Sequence, residues 1–346
     1  MPNGGGMNSN KRIFITGIAG FVGFHLARHL KRRGDAVCGL DNFNSYYDPL
    51  LKRERAALLK EEGILVFEGD VCDQTRLLDL FNRYNPSHLV HLAAQAGVRY
   101  SLTHPDAYLQ SNLSGMVHLL EACRTRADME LIFASSSSVY GLNRKIPFSE
   151  SDPTDHPSNL YGASKKAGEM LAFSYHHLFG IPLRILRFFT VYGPWGRPDM
   201  AYFSFTKAIL ENRPIPLFHN GQMRRDFTYI DDIVRGIAAA VDLNAPFEIF
   251  NLGNEKPESV ATLVNLLEKK LEKKALVTPL PKQVEEVETT FADISKAKKE
   301  LAFHPMTSLS EGLDHFLKWY LSNCSYTQVD SRSGFGPRQS PGVGLS

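Results

Sequence analysis

Short apolar runs alternate with longer amphipathic stretches along the first half of the chain. The apolar runs predict buried strands, and they are Arg12–Thr16, Ala36–Leu40, Ile64–Phe67, His88–Leu92 and Leu131–Ala134. The amphipathic stretches predict helices, and they are His25–Arg33, Leu50–Glu62, Gln74–Tyr84, Asn112–Thr125 and Tyr161–His177. Strands that alternate with helices in this order predict an α/β fold built on a parallel sheet.

A second set of elements follows in the later part of the chain. The pattern predicts helices at Ala201–Glu211, Asp231–Asp242 and Glu258–Lys273, an extended run at Pro214–Phe218 and a strand at Phe247–Leu252. We therefore divide the chain into a larger unit, residues 11–199, and a smaller α/β lobe, mainly residues 200–324. Residues 1–10 are rich in Gly and Asn, and residues 325–346 in Ser, Gly and Pro, so both ends are predicted to be flexible tails.

Charge and cysteine content exclude several classes of function. The net charge of +2 gives no strong attraction to nucleic acid or to a membrane surface. No apolar run approaches the roughly 20 residues that a spanning helix needs. The four cysteines are scattered and form neither a metal-binding pattern nor a disulfide framework; they are Cys38, Cys72, Cys123 and Cys324. We expect a reducing, cytoplasmic location, no metal site, and neither nucleic acid nor membrane as partner.

Three glycines follow the first predicted strand, where a dinucleotide-binding site requires them. Gly17 permits a tight turn, Gly20 lets a pyrophosphate approach the backbone, and Gly23 lets the helix pack closely on the strand. The start of that helix offers free N–H groups to phosphates. The spacing is Gly-x-x-Gly-x-x-Gly rather than Gly-x-Gly-x-x-Gly. The unit predicts a dinucleotide site, and the alternative is a glycine turn without a ligand.

Acidic residues at the next two strand ends bear on the choice of dinucleotide. Asp41 ends the second predicted strand, and an acid there accepts both ribose hydroxyls, which favours NAD over NADP. Arg32 and Arg33 are the alternative, as partners of a 2′-phosphate, but both fall within the preceding helix. Asp70 leaves two interpretations open: it bonds the adenine amino group, or it caps the helix predicted at Gln74–Tyr84.

A tyrosine and a lysine open the fifth predicted helix. Tyr161 and Lys165 are four residues apart, which places them on one helical face about one turn from each other. A lysine ammonium beside a phenol favours the phenolate and lowers its pKa from about 10. Tyr161 would then act as a general base near neutral pH. The alternative is a surface tyrosine beside a solvated lysine.

Two more strand ends carry residues that suit a ligand site. Ala93 and Ala94 follow the fourth strand, and small side chains there allow the close approach of a ligand. Ser135–Ser138 follow the fifth strand. One of their hydroxyls can bond a sugar oxygen and relay its proton, or the serines cap their own turn. Arg99 either meets an anionic substrate or lies on the surface.

Taken together, these segments resemble the extended short-chain dehydrogenases/reductases of the nucleotide-sugar epimerase type. The resemblance runs from about Lys11 to Tyr320 and rests on Thr16–Gly23, Gly69–Val71, His91–Arg99, Ser135–Gly141, Tyr161–Lys165 and Arg187–Pro194. Within that family the chain most resembles UDP-glucuronate 4-epimerases, through Ala94–Ser101, Arg187–Gly193 and Arg197–Met200. It implies a doubly wound parallel (Rossmann) sheet with an interleaved C-terminal lobe that binds the nucleotide part of the substrate.

The resemblance also assigns roles to individual residues. It implies the catalytic residues Ser136, Tyr161 and Lys165. It implies NAD as the cofactor, bound by Gly17, Gly20, Phe21, Gly23, Asp41, Asn42, Asp70, Val71, Ala93, Ala94, Tyr161 and Lys165. A UDP-sugar would meet Arg99, Ser137, Thr190, Arg197 and Arg225, of which Ser137 and Thr190 face the sugar carboxylate, with Arg197 close by, and Arg225 the UDP phosphates. A homodimer is implied as well.

The activity implied is NAD-dependent inversion at C4 of UDP-glucuronate through a transient 4-keto sugar, giving UDP-galacturonate. The alternatives are a 4-epimerase for UDP-glucose, another NAD-dependent nucleotide-sugar enzyme of this fold, and a non-catalytic NAD-binding module. Ser137 and Ser138 stand where related dehydratases and decarboxylases carry an acid, which disfavours those two reactions. Residues 281–288 depart from the usual Pro-Gly-Asp-Val of such epimerases, which bears on uridine binding.

Overall fold

A computed structural model describes residues 11–126, 128–281 and 287–323. It contains twelve strands in this part of the chain. They are β1 (Arg12–Thr16), β2 (Ala36–Asp41), β3 (Leu65–Glu68), β4 (His88–His91), β5 (Glu130–Ser136), β6 (Leu183–Phe188), β7 (Thr190–Tyr192), β8 (Pro214–Phe218), β9 (Arg224–Tyr229), β10 (Phe247–Leu252), β11 (Pro257–Ser259) and β12 (Leu276–Leu280). The five strands predicted in the first half and the strand at Phe247–Leu252 are therefore present.

Eleven α-helices lie between these strands in the described residues. They are α1 (Phe21–Arg33), α2 (Pro49–Glu61), α3 (Gln74–Tyr84), α4 (Pro105–Tyr108), α5 (Gly115–Arg124), α6 (Leu160–Phe179), α7 (Ala201–Leu210), α8 (Ile230–Asp242), α9 (Val260–Leu271), α10 (Ser295–Leu301) and α11 (Leu309–Ser322). None of the helices described is both long and apolar enough to cross a bilayer.

The central sheet has seven strands in the order β10-β6-β5-β4-β1-β2-β3, and every pairing is parallel. Thr16 at the end of β1 is level with Leu40 of β2 and His91 of β4. Because all seven strands are parallel, their carboxyl ends share one edge of the sheet. Strands are added on both sides of β1. The predicted doubly wound sheet is confirmed.

Alternate side chains of β1 show how the two faces of the sheet are covered. Phe14 is fully buried in a cluster with Leu77 of α3 and Leu119 of α5. Ile13 and Ile15 point the other way, into the larger cluster of α1, α8 and the C-terminal helices. Because both faces are apolar, the strands read as continuous hydrophobic runs, as parallel sheets require.

The later part of the chain builds two small sheets and also returns to the central one. One small sheet has the order β11-β9-β7, and the other is the parallel pair β12-β8. β10 instead pairs with β6 at the edge of the central sheet. Asp226 of β9 is fully buried and accepts bonds from the backbone N–H groups of Asn254, Glu255 and Ala292. This carboxylate holds the crossing segments together.

Three helix starts differ from the prediction by two or more residues. α1 begins at Phe21 rather than His25, because Gly20 takes an extended conformation and ends the turn. The helix predicted from Asn112 begins at Gly115, and Leu109–Ser114 form a π-helix before it. The helix predicted from Glu258 begins after Ser259, since residues 257–259 pair with β9 and the Ser259 hydroxyl caps Thr262 N–H.

Candidate active site

A cavity of about 2430 Å³ opens along the carboxyl edge of the central sheet and extends to β8 and β9. Ligand sites of doubly wound folds lie at this edge. All predicted site residues except Asp70 line it. The structure thus brings together Gly17, Gly20, Phe21, Gly23, Asp41, Asn42, Val71, Ala93, Ala94, Arg99, Ser136, Ser137, Tyr161, Lys165, Thr190, Arg197 and Arg225.

The glycine loop has the shape that a dinucleotide site requires. Gly17 has φ +72°, and a Cβ added there would lie 2.8 Å from the backbone N of Ala93. A Cβ at Gly23 would lie 2.2 Å from the carbonyl oxygen of Gly17, so side chains are excluded from both positions. Gly20 gives no side-chain cap to α1, which leaves the first N–H groups of that helix to face the cavity. These residues fit a bound pyrophosphate.

Asp41 lies at the carboxyl end of β2 beside this loop. Its carboxylate accepts bonds from Ala19 N at 3.1 Å and Phe43 N at 2.9 Å. Burial raises the pKa of Asp41, and the nearby charge of Lys52 opposes that effect. A carboxylate has about four acceptor positions, so it keeps capacity for ribose hydroxyls.

The two arginines considered for a 2′-phosphate are engaged elsewhere. Arg33 forms ion pairs with Asp35 and Asp242, both at 2.6 Å, at the C-terminal end of α1. Arg32 lies 3.8 Å from Glu62. The site therefore carries an acid at the end of β2 and no arginine from this pair, which matches NAD rather than NADP.

Asp70 does not cap α3. Asp73 does so, because its carboxylate accepts from Arg76 N at 2.9 Å. Asp70 instead accepts from Cys72 N at 2.8 Å and from the Asn42 side chain at 2.7 Å. The capping interpretation is wrong. Asp70 does not line the cavity itself, but its carboxylate holds the side chain of Asn42, which does.

Lys165 of α6 is buried at the carboxyl end of β5. Its Nζ donates to the carbonyl oxygen of Ala134 at 2.8 Å and lies 5.0 Å from the centroid of the Phe133 ring. Burial lowers the pKa of Lys165 to about 7, and the carboxylate of Glu169 opposes this shift. The lysine is therefore directed at the strand end rather than into solvent.

The prediction that Lys165 lowers the pKa of Tyr161 is wrong for this structure. Burial raises the pKa of Tyr161 above its ordinary value. A hydrogen bond with Ser136 and the charge of Arg197 favour the phenolate but do not offset burial. The spacing of four residues places Tyr161 and Lys165 on one face of α6. The Lys165 ammonium, however, donates its hydrogen bond to the carbonyl oxygen of Ala134 and not to Tyr161.

The serine segment points its hydroxyls in two directions. Ser136 accepts from Ser138 N at 3.2 Å and donates to Ser138 Oγ at 3.2 Å, so the turn-capping interpretation holds for part of this segment. Ser136 also bonds Tyr161, so it belongs to the cavity as well. Ser135 turns the other way and donates to the buried carboxylate of Glu169 at 2.6 Å.

Arg197 forms a bidentate ion pair that the sequence did not predict. Its Nε and Nη2 donate to the two carboxylate oxygens of Asp199 at 3.0 and 2.6 Å. The hydroxyl of Tyr46, which follows β2, donates to the same carboxylate at 2.9 Å. The guanidinium also lies 5.8 Å from the Tyr46 ring centroid. The positive charge predicted to meet a sugar carboxylate is thus already balanced by an acid of the chain.

The other two predicted substrate arginines reach across the cavity. Arg99 stacks its guanidinium 4.3 Å from the ring centroid of Phe218 in β8. Arg225 of β9 donates to the carbonyl oxygens of Val287 and Glu288 at 2.9 and 3.3 Å. Arg225 therefore lies beside the atypical segment 281–288, of which residues 282–286 fall outside the described residues. Thr190 begins β7, which pairs with the strand that carries Arg225, and it lines the same cavity.

Two basic residues of α2, Arg55 and Lys52, were not selected as site residues by the sequence analysis. Arg55 is fully buried and donates to the carbonyl oxygens of Ala19, Trp195 and Gly196. It thus joins the glycine loop to the turn that precedes Arg197. A signal was present, because Leu51, Arg55 and Leu59 recur at four-residue spacing on one face.

Lys52 lines the cavity one turn before Ala56 and is almost fully buried. Its Nζ donates to the backbone and side-chain oxygens of Asn44 at 3.0 and 2.6 Å. Burial lowers the pKa of Lys52 to about 8, while Asp41 opposes that shift. Lys52 adds positive charge to the cofactor side of the cavity. In the described ranges, no three His, Cys, Asp or Glu residues gather into a metal-ligating group.

Comparison with known proteins gives consistent matches over nearly the whole chain. "UDP-glucuronate 4-epimerase 4" of Arabidopsis thaliana is 51% identical over 334 residues, which cover 91% of this chain and 76% of that protein. The crystal structure of UDP-glucuronic acid 4-epimerase from Bacillus cereus, in complex with UDP-glucuronic acid and NAD, has a TM-score of 0.84 at 36% identity. That match covers 90% of this chain and 99% of the Bacillus chain.

A UDP-glucose 4-epimerase from Thermotoga maritima, crystallised with UDP-glucose, is also similar, with a TM-score of 0.83 and 29% identity. It covers 90% of this chain and 99% of the Thermotoga chain. Residues 13–253 match the family described as "NAD dependent epimerase/dehydratase family". The predicted resemblance and the predicted NAD dependence are confirmed. The chain therefore belongs to the NAD dependent epimerase/dehydratase family.

Proposed function

We propose that this protein is an isomerase that converts UDP-glucuronate to UDP-galacturonate by NAD-dependent epimerisation at C4. The observation that carries the proposal is the convergence of Ser136, Tyr161 and Lys165 in one cavity with the dinucleotide loop. Its narrower form is supported by the relative from Arabidopsis thaliana, at 51% identity. The Bacillus cereus structure holds UDP-glucuronic acid and NAD in the same fold.

We assign the proton transfers to Tyr161 and Ser136. Tyr161 takes the proton of the C4 hydroxyl, and Ser136, which already bonds Tyr161, holds that hydroxyl during the transfer. The glycine loop, Asp41 and Asn42 would hold NAD, which would supply a hydride acceptor for C4 and a positively charged ring. Lys165 and Arg197 are cations of the chain in the same cavity. Arg197 favours loss of the phenolic proton, which burial of Tyr161 opposes. Lys165 donates its bond to Ala134 and contributes its positive charge at the end of β5.

The carboxylate of the substrate is assigned to Ser137, Thr190 and Arg197. The keto form of the sugar is a β-keto acid, which loses CO₂ readily, so the carboxylate must be held out of alignment for that loss. A guanidinium suits this task because it has five N–H donors, of which Asp199 occupies two in Arg197. In Thr190→Ala we expect some UDP-pentose beside the epimer. If no UDP-pentose forms and epimerisation is unchanged, this assignment is wrong.

The cofactor is assigned to the first unit and the nucleotide of the substrate to the second. Residues 11–199 supply the glycine loop, Asp41, Asn42 and Val71, and Asp70 supports Asn42. Residues 200–324 supply Arg225, which we assign to the UDP phosphates. The boundary is interleaved, since β10 lies in the central sheet and β7 in the small one. Arg99 joins the two units through Phe218.

The decisive experiment is incubation of the purified protein with UDP-glucuronate and NAD, followed by chromatographic separation of the products. We expect UDP-galacturonate and no lasting absorbance of NADH, because the hydride returns to the sugar. Lasting NADH would indicate a net oxidoreductase. Tyr161→Phe should slow product formation by at least about 10²-fold, whereas a non-catalytic NAD-binding module would be unaffected by that change.

The second candidate is a 4-epimerase for UDP-glucose, as in the Thermotoga maritima structure. It would use the same Ser136, Tyr161 and Lys165. The identity of 29% to that protein, against 36% to the Bacillus cereus enzyme, favours the uronate. An assay in which UDP-glucose and UDP-glucuronate compete separates the two, and preference for UDP-glucose would overturn our choice.

We also propose a cytoplasmic homodimer. α6 leaves large apolar side chains exposed, including Met170 at 61% and Phe173 at 52%, and Leu109 before α5 is 46% exposed. Exposed apolar faces of this kind mark interfaces. Light scattering should give twice the chain mass, and Met170→Glu should halve it. Cys38, Cys72 and Cys123 are free thiols, which suits a reducing compartment.

A further inference from the structure

We infer that Ser135, Glu169 and Arg187 form a buried positioning cluster that seats Lys165 and favours its ammonium form. None of the three touches the reacting atoms in the assignment above. All three are 2–3% exposed, and Lys165 is 4% exposed. The inference uses only the catalytic role given to Lys165, and it does not depend on which sugar nucleotide is the substrate.

The register of the central sheet assembles the cluster. Ser135 of β5 and Arg187 of β6 are paired neighbours, so their side chains emerge side by side beneath α6. Ser135 donates to Glu169 Oε1 at 2.6 Å. Arg187 donates from Nε and Nη2 to the two carboxylate oxygens of Glu169, at 2.9 and 2.8 Å. One carboxylate on α6 is thus held by two strands at once.

Ala134, the residue before Ser135 in β5, binds the preceding turn of α6. Ala134 accepts the bond from Lys165 Nζ, and Ser135 donates to Glu169, which follows Lys165 by four residues. Successive residues of the strand therefore hold successive turns of α6. The lysine side chain is long and flexible. The position of its ammonium therefore depends on how these bonds fix α6 along β5.

Arg187 also connects the cluster to the edge of the central sheet. Its Nη1 donates to the hydroxyl of Tyr140 at 3.0 Å, and that hydroxyl donates to Asn251 of β10 at 2.6 Å. The Asn251 amide donates to the carbonyl oxygens of Phe148 and Asp293 at 2.9 and 3.1 Å. A continuous buried chain of bonds thus runs from the catalytic helix to the segment after the atypical loop.

The charges around Lys165 explain why Glu169 is needed. On α6 itself, Lys165 has Tyr161 before it and Glu169 after it. His91 of β4 packs nearby, but burial lowers its pKa to about 3, so it stays neutral. Arg187 of β6 is a second cation, and it is paired with Glu169 itself. Glu169 is the anion that balances this side, and its charge favours the ammonium form of Lys165 against burial.

The test compares Glu169→Gln with a matched control on the same two strands. Arg184 of β6, which is 1% exposed, pairs with Glu130 of β5 at the amino end of these strands. Glu130→Gln therefore also breaks an Arg–Glu pair between β5 and β6, but far from Lys165. The first readout is competitive acetylation of Lys165 against pH, measured by peptide mass spectrometry on the purified protein. The second is the pH profile of kcat/KM.

In Glu169→Gln we expect the midpoint of Lys165 acetylation to move down by about one pH unit, because an anion near the ammonium is lost. The alkaline limb of kcat/KM should move down with it. Glu130→Gln should lower the melting temperature without moving either midpoint. Equal midpoints in Glu169→Gln and the wild type, or equal shifts in both variants, would overturn the inference.

Ser135→Ala serves if Glu169→Gln does not fold, since it keeps the ion pair and removes one bond. In Ser135→Ala we expect kcat to fall about tenfold and KM to stay within about twofold of the wild type. The reason is that the lost bond, from Ser135 to the Glu169 carboxylate, affects the reaction only through Lys165. Unchanged kcat would overturn the positioning role. A wild-type protein inactive on UDP-glucuronate would refute the proposed function, while the acetylation profile would still decide this inference.

Discussion

Replacing Gly23 by alanine tests whether the glycine loop is built for a dinucleotide. The added Cβ would lie 2.2 Å from Gly17 O and 2.9 Å from the Cα of Ile18. Ordinary contact between such atoms is about 3.5 Å. Backbone atoms cannot rotate away, so the start of α1 must shift from the turn by about 1 Å to restore contact.

The expected effect on stability is small, and the effect on NAD binding is large. Overpacking costs about 1–3 kcal/mol, and alanine gains about 1 kcal/mol over glycine within a helix. The net loss of unfolding free energy is therefore about 0–2 kcal/mol. A shift of about 1 Å would break a backbone N–H bond to the pyrophosphate, and a hydrogen bond to a charged group is worth about 1.5–3 kcal/mol. We therefore expect NAD affinity to fall by about 10- to 100-fold.

The assay is titration calorimetry with NAD, together with thermal unfolding. Gly34→Ala is the matched control at the other end of the same helix, because Gly34 has φ +101° and open space around its Cβ position. It should lose about 1–2 kcal/mol of stability through backbone strain and keep its NAD affinity. If Gly23→Ala binds NAD as the wild type does, the loop does not place the helix start against the cofactor.

Three further predictions concern the reaction and the fold. Tyr161→Phe should lower kcat by about 10²- to 10⁴-fold with an unchanged circular dichroism spectrum; activity near that of the wild type would remove Tyr161 as the base. Arg197→Met should raise KM for UDP-glucuronate by about 10- to 100-fold and raise it less for UDP-glucose, and equal changes would contradict the carboxylate assignment. Burial raises the pKa of Asp226 to about 6, so its proton stabilises the fold fully below about pH 4, and this contribution is lost as the pH rises through 6. In urea unfolding, the stability of the wild type relative to Asp226→Asn should therefore decrease between about pH 4 and pH 7, and a constant difference would contradict the shift.

Local patterns predicted the features that local patterns determine. The glycine spacing, the acid after β2 and the order of strands and helices were enough for the central sheet and for the cofactor side of the cavity. Tyr161 and Lys165 were placed on one helical face by their spacing alone. The family resemblance added Thr190 and Arg225, which single motifs would not have selected, and both line the cavity.

Partners that are distant in sequence could not be predicted. Asp199 stands two residues from Arg197, but the second partner of its carboxylate, Tyr46, comes from a loop 153 residues away. The ammonium of Lys165 is directed at Ala134 by the packing of α6 on β5, which no spacing rule contains. Burial then decides the direction of the Tyr161 pKa shift, and burial is a property of the whole fold.

Arg55 makes the two halves of the cavity mechanically dependent on each other. Its buried guanidinium donates hydrogen bonds to the carbonyl oxygen of Ala19 on the cofactor side and to those of residues 195 and 196 on the sugar side. A shorter or single-pronged side chain cannot span both carbonyl groups. Evolution toward a different sugar therefore cannot remodel the turn before Arg197 without disturbing the dinucleotide loop, which restricts how far substrate preference can drift while this arginine remains.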